Sequence, residues 1–248
     1  MNLILFEEPF ESVWLEGSDP KARHLRKVLR AKVGSLVFVG FVNGLRARAE
    51  VISTGSDGSF ELNVIATEPT PERLPIHLLI GLPRPHVARR ILQEAASMGV
   101  GALHFFQAKH SEPSYAKSRL WQTDEWRQRI LSGVEQGFGT QLPQVILHPD
   151  VHAAIATQET TAARIALDNY EASSSLSKAL PNTCGHVAIA IGPERGWSTV
   201  EREIFRENAW TLAHLGPHVL RVETACVAAV AATASQLRLW QNQTKTLI

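Results

Sequence analysis

Two patterns of apolar and polar residues divide the chain. Short β-rich apolar runs occupy residues 33–39, 47–52 and 60–66 of the first part. Asn43-Gly44 separates the first two runs, and Asn-Gly between apolar runs is typical of a β-hairpin. Three strands at this spacing predict a small antiparallel barrel, and a short helix is predicted before them over residues 19–32.

The pattern changes after a proline-rich segment. Pro69, Pro71 and Pro75 break both helix and strand, so we place the boundary between two domains, 1–70 and 71–248, in this segment. Beyond it, strands are predicted at 76–82, 102–106, 144–148, 163–167, 187–192 and 211–215, and helices at about 86–98, 122–136, 199–208 and 223–240. Strands alternating with helices predict βαβ units, and hence an α/β fold with a mostly parallel sheet.

Two loops of the second part are the expected ligand site. Parallel sheets bind ligands at the carboxyl ends of their strands, next to helix N-termini. Residues 191–198 leave an all-apolar strand, and Ser198 and Glu201 have the spacing of a helix capping box. Residues 215–225 connect a short strand to an Ala-rich helix. On local signals alone, an ordinary strand-to-helix connection explains the first segment, and a buried C-terminal helix with a Thr cap explains the second.

Composition narrows the class of protein. The chain has 248 residues, 44% of them hydrophobic, which indicates a folded globular protein. No apolar run approaches the roughly 18 residues of a membrane-spanning helix, and the first ten residues lack the basic segment of a signal peptide. Cys184 and Cys226 are too few for a disulfide framework and lack zinc-ligand spacing. We therefore expect a cytoplasmic protein that uses no metal and no membrane.

The charge is unevenly distributed. Lys and Arg number 25 against 24 Asp and Glu, yet eight basic residues and no acid lie between Lys21 and Arg48. A second acid-free stretch covers residues 73–90. Clustered cations on a nearly neutral protein indicate a surface for a polyanion such as RNA or DNA, although a solvated helix face has the same pattern.

The two loops together resemble a known family. Gly192-Pro193-Glu194-Arg195-Gly196 follows an apolar strand, and Leu215-Gly216-Pro217-His218-Val219-Leu220-Arg221-Val222-Glu223-Thr224-Ala225 follows some twenty residues later. This combination resembles the RsmE family of SPOUT methyltransferases, which methylate N3 of a uridine in 16S ribosomal RNA. His24 to Arg30 resembles the family's N-terminal His-x-x-x-Val-Leu-Arg element. Arg195 and His218 depart from the family pattern, which has Gly and Arg there.

The resemblance implies a fold and a methyl donor. The fold is a C-terminal α/β domain tied in a SPOUT trefoil knot, with a small N-terminal β-barrel of PUA/OB type that holds RNA. The donor is S-adenosyl-L-methionine, with S-adenosyl-L-homocysteine as product. The residues assigned to the donor are Leu167, Ile191, Gly192, Pro193, Glu194, Gly196, Leu215, Gly216, Leu220, Thr224 and Ala225.

The chemistry of the reaction suggests three catalytic candidates. Uridine N3 must lose a proton, and the negative charge that remains spreads onto the flanking carbonyl oxygens. The guanidinium of Arg221 is suited to stabilise this charge. Glu223 would orient Arg221 or accept the proton, and His218 is an alternative base or a surface imidazole facing phosphate. Glu194 is expected to brace its loop by accepting bonds from backbone N–H groups.

RNA and a second subunit are the expected partners. The phosphate-contact candidates are His24, Arg26, Lys27, Arg30, Arg46 and Arg84. Trp121, Trp126 and Trp197 are candidates for base stacking or for the core. The Ala-rich C-terminal helix would pack against its twin in a homodimer, and the substrate would be 16S rRNA or the small ribosomal subunit. Two other functions remain open: methylation of a different rRNA or tRNA nucleotide, and a non-catalytic RNA-binding or ribosome-assembly module.

Overall fold

The computed structural model describes residues 3–160 and 162–240, and its contacts divide the chain into two units. The first consists of Met1–Glu72 and Val134–Leu142, and the second of Arg73–Gly133 and Pro143–Ile248. The chain thus passes from the first unit to the second at Glu72, close to the proline-rich segment. The outer ends of the two predicted domains, residues 1–2 and 241–248, lie outside the described residues.

The first unit contains a five-stranded sheet in the order β1-β3-β4-β5-β2. Its strands are β1 (Leu3–Phe6), β2 (Ser12–Leu15), β3 (Leu36–Phe41), β4 (Arg46–Thr54) and β5 (Phe60–Glu68). The three predicted strands are β3, β4 and β5, which pair antiparallel as the hairpin signal indicated. The sequence did not reveal β1 and β2, and β1 pairs with β3 in parallel. Alternate residues of the strands, with Ala22 and Leu25, enclose an apolar core.

The predicted helix over residues 19–32 is shorter and has two parts. Helix α1 (Pro20–His24) begins at Asp19, whose carboxylate caps it by accepting the N–H of Lys21. One π-helical turn, Leu25–Leu29, follows and ends at Arg30, whose φ of 51° is left-handed. The exposed cations of this segment therefore lie on a short, tightly curved piece of chain.

A distant segment completes the first unit. The N–H of Leu5 donates to the Glu135 carboxylate at 3.0 Å. The hydroxyl of Thr140 donates to the carbonyl of Gly44 at 2.6 Å, and the N–H of Asn43 donates to the carbonyl of Thr140. Residues 134–142 thus fix the turn between β3 and β4. No local sequence signal indicates that this distant segment belongs to the first unit.

The second unit is built on a six-stranded parallel sheet in the order β11-β9-β10-β6-β7-β8. Its strands are β6 (Leu74–Gly81), β7 (Val100–Phe106), β8 (Gln144–His148), β9 (Ala163–Leu167), β10 (Val187–Ile191) and β11 (Thr211–Ala213). The helices are α2 (Pro85–Ser97), α3 (Arg119–Gln122), α4 (Glu125–Gln136, whose last turn falls in the first unit), α5 (Val151–Ala156), α6 (Leu176–Ala179), α7 (Thr199–Glu207) and α8 (Val222–Gln236). A single 3₁₀ turn spans Pro113–Tyr115. All six predicted strands are present, whereas α3, α5 and α6 were not predicted.

Helices cover both faces of this sheet. All five residues of β10, in the middle of the sheet, are buried, as expected for a parallel strand enclosed on two sides. Helices α2 and α8 pack against each other, and α8 contacts β10 and β6. Residues of α5 and α7 share an apolar cluster with Leu79, Ala188 and Ala190. None of the helices traced in residues 3–160 and 162–240 has the length and apolar character to cross a membrane.

A cluster of histidines lies on the face covered by α5, and we call His77, His104, His148, His186 and Gln158 the histidine cluster. Nδ1 of His104 lies 2.9 Å from Nε2 of His148, and the Gln158 amide nitrogen lies 3.4 Å from Nε2 of His104. The Gln158 carbonyl is 3.2 Å from Nδ1 of His77, whose ring centroid lies 4.0 Å from that of His186. Because an amide nitrogen only donates, this contact favours the tautomer of His104 in which Nε2 accepts and Nδ1 carries the proton.

Burial sets the charge of this cluster. His104 is only 3% exposed, and this burial, together with His77 and His148, lowers the pKa of His104 to about 3. Burial also lowers the pKa of His77 and of His148. The three rings are therefore neutral at neutral pH. In the part of the chain that the structure describes, no group of three His, Cys, Asp or Glu side chains is arranged to hold a metal ion.

Candidate active site

Four segments of the second unit enclose a cavity of about 610 Å³ at the carboxyl ends of the parallel strands. Leu167 ends β9, Ile191 ends β10, Leu215 lies just beyond β11, and α8 begins beside them. The lining is formed by Arg84, His86, Val87, Arg90, Leu167, Asp168, Asn169, Tyr170, Ile191, Gly192, Pro193, Glu194, Arg195, Gly196, Trp197, Leu215, Val219, Leu220, Arg221, Val222, Glu223 and Ala225. We call this cavity the loop pocket.

The loop after β10 requires its glycines. A Cβ at Gly192 would lie 3.0 Å from the Cα of Gly196, so the two ends of the turn are in close backbone contact. Gly196 has a φ of +66°, and its N–H donates to the carbonyl of Pro193 at 2.8 Å. A Cβ at Gly81 would meet Pro193 at 2.6 Å. These approaches hold the backbone of the turn against the end of β6.

The capping box predicted for the following helix is confirmed. The Ser198 hydroxyl accepts the N–H of Glu201, and the Glu201 carboxylate accepts the N–H of Ser198. The same buried carboxylate accepts the N–H of Lys109 at 2.8 Å, beyond the end of β7. The start of α7, and with it one side of the loop pocket, is therefore anchored to the sheet.

Glu194 braces a neighbouring loop. Its carboxylate accepts the backbone N–H of Arg84 at 2.9 Å, immediately before α2 begins at Pro85. This contact is of the kind expected from the sequence, and it joins the turn after β10 to the N-terminus of α2.

The loop after β9 is held by a buried ion pair. Asp168 accepts the N–H groups of Tyr170 at 2.8 Å and of Glu171 at 2.6 Å, and its second oxygen lies 2.8 Å from Nε of Arg202. Both Asp168 and Arg202 are buried. The carboxylate charge is thus paired and both of its oxygens accept hydrogen bonds, so Asp168 shapes this wall rather than offering a reactive group.

Arg221 and Glu223 both reach the loop pocket at the N-terminus of α8. Arg221 is the exposed N-cap residue, and Glu223 lies in the first turn. The Glu223 carboxylate is paired with Arg90 of α2 at 3.4 Å, and no hydrogen bond or ion pair joins it to Arg221. Cys226 lies one turn further along, and burial raises the pKa of its thiol, so it stays protonated.

The rim of the loop pocket is rich in guanidinium groups. Arg84, Arg90, Arg195 and Arg221 all line it, against the carboxylates of Glu194 and Glu223 and the neutralised Asp168. A concave surface with excess positive charge attracts anions such as the phosphates of a nucleic acid.

The loop pocket contains most of the residues that the sequence assigned to the donor. Nine of these eleven residues line it, and the other two, Gly216 and Thr224, lie in the same connection outside the lining. Gly216 instead donates its N–H to Nδ1 of His214. Of the catalytic candidates, Arg221 and Glu223 line the pocket, whereas the exposed His218 does not.

The RNA candidates are divided among three environments. Arg26, Lys27 and Arg30 are exposed and His24 is partly exposed on the first unit, where Arg26 donates to the carbonyl of Gly58. Arg84 lines the loop pocket. Arg46 is only 5% exposed, because it pairs with Glu68 at 2.6 Å and donates to the carbonyl of Phe138. Its guanidinium is therefore a structural group of the first unit.

The tryptophans considered for base stacking belong mainly to the packing. Trp197 is 2% exposed, stacks on Phe106, and donates its indole N–H to the carbonyl of Leu167. Trp121 packs against Phe105, and both it and Trp126 are half-buried.

Four polar residues of the loop pocket were not predicted from the sequence. Arg90, Asp168, Asn169 and Tyr170 line it but were not candidates. The one available signal was the polar Asp-Asn stretch directly after the predicted strand at 163–167, which marks a turn at the carboxyl end of a parallel strand.

A parallel sheet covered by helices on both faces, with a glycine-containing loop pocket at its strand ends, is typical of α/β enzymes that bind a small cofactor or nucleoside. Residues 70–234 match the RNA methyltransferase domain family, and the chain belongs to it. The chain is 29% identical to the ribosomal RNA small subunit methyltransferase E of Treponema pallidum, with 98% of this chain and 94% of the relative covered.

Two further comparisons cover nearly the whole chain. A ribosomal RNA small subunit methyltransferase E 1 of Borreliella burgdorferi is 26% identical over 96% of this chain and 99% of its own. Among solved structures, the ribosomal RNA small subunit methyltransferase E of Neisseria gonorrhoeae bound to S-adenosyl methionine has a TM-score of 0.78 at 21% identity. It covers 95% of this chain and 97% of its own. The α/β fold expected from the sequence is thus confirmed.

Proposed function

We propose that the protein transfers a methyl group from S-adenosyl-L-methionine to N3 of a uridine in 16S ribosomal RNA of the small subunit. Membership of the RNA methyltransferase domain family gives the reaction class. The relatives named for the small ribosomal subunit support the substrate, and the gonococcal structure of the same fold, solved with S-adenosyl methionine, supports the donor.

One observation carries the proposal. Nine residues assigned to the donor, together with Arg221 and Glu223, line a single cavity of about 610 Å³. This volume lies within the range of roughly 300–1,000 Å³ that small-molecule sites occupy. The residues come from three separate loops, so only the fold brings them together.

The residues of the loop pocket suit the donor. Leu167, Ile191 and Leu220 offer apolar side chains, and the turn from Gly192 to Gly196 offers closely approachable backbone groups. These are the residues that would hold the adenosine part, and none of them requires a metal. When bound, S-adenosyl-L-methionine supplies an electrophilic methyl group on a sulfonium sulfur, and S-adenosyl-L-homocysteine remains.

The polar residues at the mouth have separate roles. Arg221, exposed at the start of α8, stabilises the negative charge on the carbonyl oxygens beside N3 of the uridine. Glu223 receives the N3 proton, and its pairing with Arg90 holds the carboxylate in the loop pocket. His218 lies outside the lining, which favours the interpretation of this imidazole as a phosphate-facing surface group.

The RNA backbone is bound by the exposed cations. His24, Arg26, Lys27 and Arg30 supply phosphate contacts from the first unit, and Arg84 supplies one at the loop pocket. Replacing both Arg26 and Arg30 by alanine should reduce the slope of log affinity against log salt by about 1.4–1.8, because each lost phosphate contact contributes about 0.7–0.9. An unchanged salt slope would remove these two residues from the RNA surface.

A second copy of the chain is the other proposed partner. Helix α8 has no charged residue after Glu223, yet Val227, Ala228 and Ala231 remain partly exposed. Small apolar side chains allow a close helix contact, so the homodimer would form through this helix. Light scattering on the purified protein should give twice the chain mass of 27.3 kDa. A monomeric mass at micromolar concentration would contradict this arrangement.

The proposed reaction takes place on ribosomal material in the cytoplasm. Mass spectrometry of ribosomal RNA from cells lacking the protein should show one missing methyl group on a 16S uridine, restored by the wild-type chain. Calorimetry should also show that the purified protein binds S-adenosylhomocysteine. Binding without any change in 16S rRNA would indicate another RNA target, and no binding would indicate a non-catalytic RNA-binding module.

A further inference from the structure

Tyr170 has a position that none of the roles above explains. It lies on the wall of the loop pocket, in the loop that follows β9, and the residue is 77% exposed. A large aromatic ring that is mostly open to solvent at the mouth of a pocket offers a π-face to a ligand.

The backbone beneath this ring is fixed before any ligand binds. The buried Asp168 carboxylate accepts the N–H of Tyr170 at 2.8 Å, and Arg202, also buried, holds that carboxylate from the other side. A binding group on such a rigid loop loses little conformational entropy when its ligand arrives.

The ring itself also has defined neighbours. The Arg202 guanidinium carbon lies 5.5 Å from the centroid of the Tyr170 ring, within cation–π range. A Cβ built on Gly196 would lie 3.7 Å from Cε2 of Tyr170, so the ring edge lies beside the turn assigned to the donor. Tyr170 is thus held next to Gly196 with most of its surface open.

We propose that Tyr170 is a nucleobase-binding residue of the loop pocket, whose ring stacks on a base. The proposal rests on the proposed function, which brings two nucleobases to this site: the adenine of the donor and a base of the substrate RNA. Every base has a π-face, and aromatic stacking is a common way for proteins to hold unpaired bases. Both sources share this chemistry, and separate measurements distinguish them.

The test compares Tyr170→Ala, Tyr170→Leu and Tyr170→Phe in the full-length protein. Calorimetry with S-adenosylhomocysteine measures adenine binding, and the KM for undermethylated small-subunit RNA measures RNA binding. Loss of one stacked base should weaken one of these two quantities about 5- to 150-fold in the alanine variant. The phenylalanine variant keeps the ring and should stay within about twofold of the wild type. The leucine variant keeps apolar bulk without a π-face and should resemble alanine.

Tyr115 provides the matched control. It is the other tyrosine of the chain, it ends the 3₁₀ turn, and it lies outside the loop pocket. Tyr115→Ala should leave both quantities unchanged.

The outcomes separate the two claims. A change confined to S-adenosylhomocysteine affinity assigns the stacked base to the donor, and a change confined to the RNA KM assigns it to the substrate. If the alanine variant equals the wild type in both, Tyr170 does not stack on a base and the proposed function is unaffected. A wild-type protein that binds neither probe overturns the proposed function and the role of Tyr170 with it.

Discussion

The loop pocket and the histidine cluster belong to the same sheet, but their polar groups have opposite surroundings. In the loop pocket, Arg84, Arg195 and Arg221 are exposed. In the histidine cluster, His104 is buried and bonds to His148 and Gln158. Groups of the first kind are available to a ligand, whereas most of those of the second kind bond to one another inside the fold, with Nδ1 of His186 as the exception.

The two regions should respond differently when a polar side chain is replaced. A buried polar group without its partner costs free energy of folding, because it cannot return to water. An exposed charged group that loses its partner is hydrated instead. Substitutions in the histidine cluster should therefore alter the free energy of unfolding. Substitutions of the exposed arginines should instead alter kcat for methyl transfer.

The largest effect should come from the one part of the loop pocket that resembles the cluster, the buried pair of Asp168 and Arg202. Asp168→Ala leaves the Arg202 charge without its closest partner and should lower the free energy of unfolding by about 3–5 kcal/mol. Asp168→Asn keeps an oxygen for the N–H groups of Tyr170 and Glu171 and should lose less. Urea unfolding measures both, and equal losses would mean that the oxygen kept by asparagine contributes nothing there.

A substitution of Arg221 tests the exposed groups of the loop pocket. Arg221→Ala should lower kcat for methyl transfer about 10²- to 10³-fold, the usual loss when one stabilising donor is removed from a developing oxyanion. Calorimetry should find the S-adenosylhomocysteine affinity within about twofold of wild type, and the thermal midpoint should be unchanged because the side chain is exposed. Normal turnover by this variant would contradict the proposed role.

The pH dependence of the free energy of unfolding tests the buried histidine cluster, through His104. Its folded pKa of about 3 lies below the ordinary value of 6.5, so the unfolded chain binds the proton first as pH falls. The stability is fully present above pH 6.5 and is lost progressively towards pH 3. Between pH 7.5 and 5 the loss from this ring should be about 2 kcal/mol.

Urea unfolding of His104→Phe at the same two pH values checks this expectation. The variant lacks the titrating ring, so its stability should fall less steeply than that of the wild type. The exposed His152 of α5 is the control, and His152→Phe should keep the wild-type pH dependence. Parallel pH curves for His104→Phe and the wild type would show that His104 does not titrate on unfolding.

Only a small effect on stability is expected for Arg90. Its side chain is 63% exposed, so the pair with Glu223 should contribute less than about 1 kcal/mol to folding. Arg90→Met keeps the aliphatic stem and should shift the urea midpoint only slightly. Its kcat should still fall, because Glu223 is no longer held at the mouth. A large loss of stability with normal kcat would reverse this assignment.

The sequence predicted the second unit well because its signals are local. The strand of β10 is continuously apolar, and the turn after it has glycines that only a close backbone approach requires. Parallel strands bring their carboxyl ends together, so the loops at 191–198 and 215–225 could be assigned to one site.

The remaining features depend on contacts between distant residues. Strand β1 shows no alternation, since all four of its residues are buried, and its partner β3 lies thirty residues away. The burial of Arg46 depends on Glu68 and on Phe138, which is far away in the chain. The sequence of a basic segment does not show which of its cations are exposed and which are buried by pairing with distant residues.

The first unit can be completed during synthesis only after residues 134–142 have been made. The turn between β3 and β4 is bonded to Thr140, and the N–H of Leu5 in β1 is bonded to Glu135. At roughly 5–20 residues per second, a ribosome takes about 4–14 s to make the stretch between Glu72 and Leu142. Over that interval the nascent N-terminal sheet lacks these contacts, so the first unit stays incomplete until more than half of the chain has been made.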